Sequence, residues 1–458
     1  MKRRKLGLLA GSSLMSAAAL RNAKAQTAAT ADPTLLTTTL TPLGAERAGN
    51  ADGSIPAWTG GLAQTPEGSP VAVRMFEDEP KLLTIDSSNM DQHADRLSEG
   101  VKLMMTKYGY SINVYPTHRT ASALQYVYDN AAKNVTRAQF SPSGGRFGFT
   151  GAYGAPPFPI IDKDPDIAGP QLIWNHLTAW TGYCNTTFSP GYVITGGDLV
   201  LSEGGKTYFM RPYYDPAGSP ETFDGYLVKT SLVFQAPANF NGQEALTWHT
   251  ANTQIHPDIT WTLLNGQGRV RKAPDEAYDS PNGYFNGSSN YDESSAFYGD
   301  PHQYDWKFIE KKEMYIPYNN NNVLFATAEE FLLPKFPNPD LTRWEKHRVW
   351  VVEATLHPGI RNVLAKRRFY IDEDSWNIAV GEAYDGGGNM ASIYLQFLRA
   401  VPAIPCVNPT GFVNYHPQAD NYLYAGLLNV PGLSFPETIT PIPASQFDPQ
   451  LMAANASF

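Results

Sequence analysis

The chain has 458 residues, with 35 Lys and Arg against 44 Asp and Glu, 12% aromatic residues, 17% charged residues and two cysteines. A formal charge of -9 gives no electrostatic footprint for nucleic acid or an anionic membrane surface. So aromatic and so sparsely charged a composition excludes disorder and argues for a sizeable β-rich core.

The N-terminus reads as a targeting segment. Lys2, Arg3, Arg4 and Lys5 form a basic region, Leu6 to Leu20 an apolar stretch, and Ala23-Lys24-Ala25 a small-x-small cleavage site before Gln26. The apolar stretch is too short for a membrane span. Residues 1–25 are therefore predicted to be a signal peptide cleaved near Ala25/Gln26, and Arg3-Arg4 suggests the twin-arginine route. Cleavage removes six basic residues and no acidic one, moving the formal charge from -9 to -15. No later run approaches the roughly 18 apolar residues of a transmembrane helix, and no Cys stands at the cleavage site for lipid attachment. The expectation is a soluble periplasmic protein, its residues 26–458 forming a single domain.

Residues 26–85, rich in Thr, Pro and Gly, are predicted to lie as an extended arm against the body. Ser88-Asn89-Met90-Asp91 is predicted to cap a helix with Leu97, Val101, Met104, Met105 and Tyr108 on its buried stripe. A second helix is expected from about Thr120, with Ala121, Leu124, Val127, Tyr128 and Ala131 facing the core, and a third from about Gln171 to Trp180. From Gly191 the pattern turns to strands. Tyr226, Val228, Thr230, Leu232 and Phe234 alternate with Leu227, Lys229, Ser231, Val233 and Gln235, and Ile259, Trp261 and Leu263 lead to an Asn265-Gly266 turn. Asp279 to Asp300, dense in Asn, Gly, Ser, Tyr and Asp, is predicted to be a long surface loop, of a length that is often functional. Thr327-Ala328-Glu329-Glu330 is a capping box for a short helix. From Pro339 to Gly388 a strand meander follows, with Trp350, Val352, Ala354 and Leu356 on one face. The whole is α+β: a large, curved, mostly antiparallel sheet covered by helices.

Several segments carry a resemblance in the same order. LTPLGAERAGNADGSIPAWTGG (Leu40 to Gly61) is followed by VYPTHRTASALQYVYDNAAKNV (Val114 to Val135), PPFPI (Pro156 to Ile160), WNHL (Trp174 to Leu177), GRVRKAPDEAYDSP (Gly268 to Pro281), YDWKFIEKKEMYIPYNN (Tyr304 to Asn320) and the meander. Together they resemble the DUF1329 family of exported bacterial proteins, grouped with the LolA/LolB outer-membrane lipoprotein carriers. The resemblance implies a LolA/LolB-like half-barrel and attaches no reaction to it.

Catalytic motifs are lacking: there is no G-x-S-x-G, H-E-x-x-H, Walker loop or G-x-G-x-x-G. Asp162-Lys163-Asp164-Pro165-Asp166 opens like a calcium loop, but Ile167 and Ile173 stand where Gly and Glu are needed. His249, His256 and Asp258 are the most metal-like group, though seven residues of extended chain place the two rings on opposite faces. His176 is a helix-end histidine. Cys184 and Cys406 could bridge or remain separate buried thiols. No cofactor, metal or catalytic residue is predicted.

The expectation is a protein that binds or shuttles a lipid-like or other hydrophobic molecule in an apolar cavity, without being an enzyme. By strand phase Phe234, Trp248, Trp261 and Trp350 are predicted to line that cavity. A second reading is a secreted hydrolase or carbohydrate-binding β protein, which paired carboxylates in a pocket would favour. A third is an accessory partner of an outer-membrane protein or exporter, docking through the loop from Asp279 to Asp300.

Overall fold

A computed structural model describes residues 31–264, 268–273, 278–430, 439 and 441–455; the signal segment and the Asn265-Gly266 turn lie outside them. The longer α-helices among the described residues are α1 (Glu99–Tyr108), α2 (Gln125–Arg137) and α3 (Pro165–Leu177). Two short strands, β1 (Leu83–Ile85) and β2 (Ile112–Val114), flank α1, and β3 (Gln139–Phe140) pairs with β4 (Phe149–Thr150). Then come β5 (Cys184–Thr195), β6 (Asp198–Met210), β7 (Tyr226–Ala236), β8 (Glu244–Thr250), β9 (Ile259–Leu263), β10 (Val270–Lys272) and β11 (Tyr304–Pro317). The chain continues through β12 (Trp344–Leu356), β13 (Leu364–Asp372), β14 (Ile378–Asp385), β15 (Met390–Val401), β16 (Cys406–His416) and β17 (Asn421–Gly426).

Apart from β3 and β4, these strands form one 15-stranded sheet. From β11 and β12 it runs through β13 to β17, and β17 then pairs antiparallel with β5 to continue through β6 to β10. Among the described residues the sheet does not close, and only the single β2–β12 bridge is parallel. The meander is real: Val349 to Thr355 of β12 face Asp372 to Lys366 of β13 in unbroken antiparallel register.

Both faces of the β12–β15 region are buried. Val349 and Val351 pack in a cluster with Val101, Met104 and Met105 of α1, whereas Val352 and Ala354 pack with α2 and α3 residues such as Val127, Leu172 and Trp174. The helices thus cover opposite faces, where the stripes alone had suggested one. The first predicted helix is also divided. Met90–Arg96 is a 3₁₀ segment, Leu97 is extended and buried, and the true cap of α1 is Ser98, whose hydroxyl accepts the Val101 N–H at 3.2 Å. The second helix begins at Gln125, later than expected, and the third begins at Pro165, where Asp164 accepts the Asp166 N–H at 3.0 Å. The acidic run that opens like a calcium loop is therefore the cap of α3.

The segment from Leu40 to Gly61 lies against the sheet. Arg119 holds it by donating to the carbonyls of Glu46, Arg47 and Pro56 while pairing with buried Asp374 at 2.7 Å; Arg348 donates to the Ala48 carbonyl, and Lys346 reaches Asp52 and Ser54. Cys184 and Cys406 are both buried and are not bridged to one another.

Candidate functional site

The inner face of the sheet, on the α3 side, is incompletely filled. A cavity of about 410 Å³ lies between β5, β6, β7, β15, β16 and β17, the C-terminal end of α3 and the loop carrying Ser294, Ser295 and Tyr298. That volume falls in the ordinary range for small-molecule sites, roughly 300–1,000 Å³.

The void follows from residue size at alternate positions. Asn185, Thr187 and Ser189 of β5 point inward at a period of two, as do Thr207 and Phe209 of β6, with Arg211 next in phase, and Val228 and Thr230 of β7. The register places Thr187 opposite Thr207, Asn185 opposite Phe209, and Phe209 opposite Thr230. A floor of Thr, Ser and Asn leaves space that a floor of Leu or Phe would fill. Across the cavity, Gly411 and Gly426 are cross-strand partners, and a Cβ on Gly426 would meet the Gly411 Cα at 2.3 Å. Close approach of β16 to β17 therefore requires glycine here, and the wall stays flat.

Apolar lining comes from Leu227, Val228, Phe412, Leu427 and the tyrosines Tyr213 and Tyr214. Their hydroxyls donate to the carbonyls of Ala155, at 2.7 Å, and Thr178, at 2.5 Å. With those polar ends satisfied, the rings act as hydrocarbon. Among the described residues the lining includes no Asp or Glu, and Arg211 is its one permanently charged side chain.

His176 ends α3 at the cavity wall. Its Nδ1 accepts the Ile378 N–H at 3.2 Å and lies 3.3 Å from the Trp376 carbonyl. Burial lowers its pKa to about 4, against weaker opposing pulls from the Trp376 and Phe297 carbonyls. In the unfolded chain the ring titrates near about 6.5. The unfolded state thus binds the proton more readily, so the stability contribution is complete above about pH 6.5 and is lost as pH falls toward 4. A stability loss of about 3 kcal/mol across that window is expected from urea unfolding midpoints, and His176→Gln should flatten the slope. An equal slope in both proteins would remove His176 as its cause.

Part of the loop from Asp279 to Asp300 forms an inner wall, where the sequence suggested a surface loop, while Pro281, Gly283, Asn286 and Gly287 remain exposed. Asp292, Glu293, Ala296 and Phe297 are at most 2% exposed. Asp292 pairs with fully buried Arg367, and Glu293 accepts from the Ser392 and Tyr394 hydroxyls at 2.5 and 2.8 Å. Gln396 donates to the Ser295 carbonyl at 2.9 Å. Burial raises the Asp292 pKa to about 6 against the opposing pull of Arg367. For Glu293 burial also acts upward, but His416, Ser392 and Arg367 outweigh it and the net shift is downward.

None of the four aromatic residues predicted to line a cavity lines this one. Phe234 is buried under the loop, stacked on Tyr284 at 4.5 Å. Trp248 and Trp261, on adjacent strands, meet edge to face at 5.1 Å and are covered by Phe447 and Met452, with Trp248 Nε1 donating to the Phe447 carbonyl at 3.2 Å. Trp350 lies parallel to Trp376 at 6.3 Å, with the Lys311 ammonium 4.8 Å over its ring. Large rings fill space, and the cavity is found where the inward residues are small. It is also more polar than the purely apolar chamber expected from the sequence.

His249 pairs with Asp258 at 3.0 Å in a small side chamber of about 30 Å³, while His256 lies beside Tyr226, so the group does not converge. A different trio, His347, Asp372 and Asp374, brings its potential ligand atoms within 4.8 Å of one another. Each is already engaged: Asp374 by Arg119, Asp372 by the Ser375 hydroxyl at 2.6 Å, and His347 by Glu345 at 3.1 Å, with Tyr318 stacked on the imidazole at 3.9 Å. This is the buried anchor of the N-terminal arm.

The family described as protein of unknown function (DUF1329) matches residues 84–453, taking in every segment quoted above except Leu40 to Gly61. The uncharacterized protein PA3922 of Pseudomonas aeruginosa is 38% identical over 368 residues, 78% of each chain. Among solved structures, a DUF1329 family protein from Desulfovibrio piger aligns with 15% identity and a TM-score of 0.43 over 63% of this chain and 100% of its own. The LolA superfamily protein NE2245 of Nitrosomonas europaea aligns with 8% identity and a TM-score of 0.33 over 59% and 91%.

Proposed function

The chain belongs to the DUF1329 family, and from that premise and the cavity we propose that it is a periplasmic carrier-type protein that holds one largely hydrophobic molecule and does not alter it. The carrying observation is the 410 Å³ space itself, bounded by Phe209, Leu227, Val228, Phe412 and Leu427 and floored by small side chains. An apolar chain entering it exchanges water for hydrocarbon at about 0.8 kcal/mol per methylene.

The lining also supports binding over hydrolysis. With no carboxylate on it, the described wall offers no acid–base pair for glycoside hydrolysis. His176, the nearest general base by type, has Nδ1 committed to the backbone. No helix among the described residues is long and apolar enough to cross a membrane. Pure protein incubated with a fluorescent fatty acid should retain it saturably and return it unchanged. No retention would defeat the carrier reading, and a converted probe would replace it with an enzyme.

A further inference from the structure

We propose that the ligand of this cavity is an amphipath with a single apolar chain and an anionic oxygen head, and that Arg211 recognises the head. The inference rests on the carrier reading and deepens it by naming the ligand class.

Arg211 differs from several arginines of the interior. Arg119, Arg343, Arg348 and Arg367 each pair with a carboxylate: Asp374, Glu345, Glu373 and Asp292 respectively. Arg211 has none within ion-pair distance among the described residues. Its NH1 donates to Asn185 Oδ1 at 3.0 Å and, at the 3.5 Å limit, to the Gly182 carbonyl, and among the described residues no acceptor is recorded for Nε and NH2. The titratable groups that face it are Tyr298, Cys406, Cys184 and Tyr214, none of them a carboxylate. Burial accordingly pushes its pKa downward.

A guanidinium held in a low-dielectric wall without a countercharge interacts strongly with any anion that reaches it. Its two remaining donor positions suit the planar fork that binds carboxylate or phosphate oxygens. The anchoring contact also orients Asn185: with Oδ1 turned to Arg211, its amide N–H groups are left as donors beside the same spot. Thr187 and Thr207 add hydroxyls to the floor. Arg211 and Asn185 thus place positive charge and donors at one part of the wall, while Leu227, Val228, Phe412 and Leu427 supply apolar surface elsewhere. That division matches a fatty-acid or alkyl-phosphate molecule better than a neutral terpenoid or wax.

The test holds the chain constant and varies the head. Palmitate, monohexadecyl phosphate, hexadecanol and methyl palmitate are titrated against the full-length mature protein, wild type and Arg211→Gln, by displacement of a neutral fluorescent acyl probe. Wild type should prefer an anionic head over hexadecanol by at least about tenfold, and the order of palmitate and hexadecyl phosphate identifies the head. In R211Q the preference should collapse toward unity, with hexadecanol bound as in wild type. Equal binding of palmitate and hexadecanol to wild type would overturn the inference whether or not the variant folds, and so would a preference that survives in R211Q. The carrier reading would then stand, since the neutral ligands bind. Failure of every ligand and of the probe itself would overturn both.

Discussion

Thr207→Trp should nearly abolish ligand retention while the protein stays folded. Thr207 sits on the cavity floor between Thr187 and Leu232 in the strand register. An indole there occupies the volume that an acyl chain would take. Losing about four buried methylenes at ~0.8 kcal/mol each removes ~3 kcal/mol, or on the order of a hundredfold in affinity. Overpacking normally costs about 1 to 3 kcal/mol, but here the ring enters existing space, so the unfolding free energy should move by less. Unchanged affinity for a fluorescent fatty acid would show that binding occurs elsewhere.

The second large effect is on stability. Arg367→Met removes the cation facing Asp292, and both side chains are at most 1% exposed. Asp292 would keep the Asn362 amide at 3.3 Å and lose its charge partner. Stranding a buried carboxylate in this way costs about 3 to 5 kcal/mol. Because Asp292 and Glu293 plug the inner wall into the sheet, ligand affinity should fall as well. Denaturant unfolding of R367M should show the loss, and adding Asp292→Asn should recover most of it. A single variant within 1 kcal/mol of wild type would mean that the pair contributes little to holding the wall.

The contrast between these two sites explains what could be read from the sequence. The β12–β13 meander was legible because alternation at Val349 to Thr355 is a local signal, and the continuous antiparallel sheet followed from many such signals. The Arg367–Asp292 pair was not, since it joins residues on different elements and Arg367 reads locally as an outward basic residue. Burial of both sheet faces was hidden for the same reason: which face α1 covers depends on chain routing. The cavity did leave a trace, in Asn185-x-Thr187-x-Ser189 and Thr207-x-Phe209-x-Arg211. A search for large aromatics as lining residues passed over it. Phe234, Trp248, Trp261 and Trp350 are the rings that fill the interior, and a cavity survives where alternate residues are too small to do so.

The most direct test of the carrier reading is mass spectrometry of organic extracts from mature protein purified without detergent, wild type beside Thr207→Trp. Wild type should release an apolar compound with a single anionic head in near-stoichiometric amount, and the filled variant should release almost none. Identical extracts from the two proteins, or an empty wild type that also takes up no added fatty acid, would contradict a ligand-holding role for the cavity under α3.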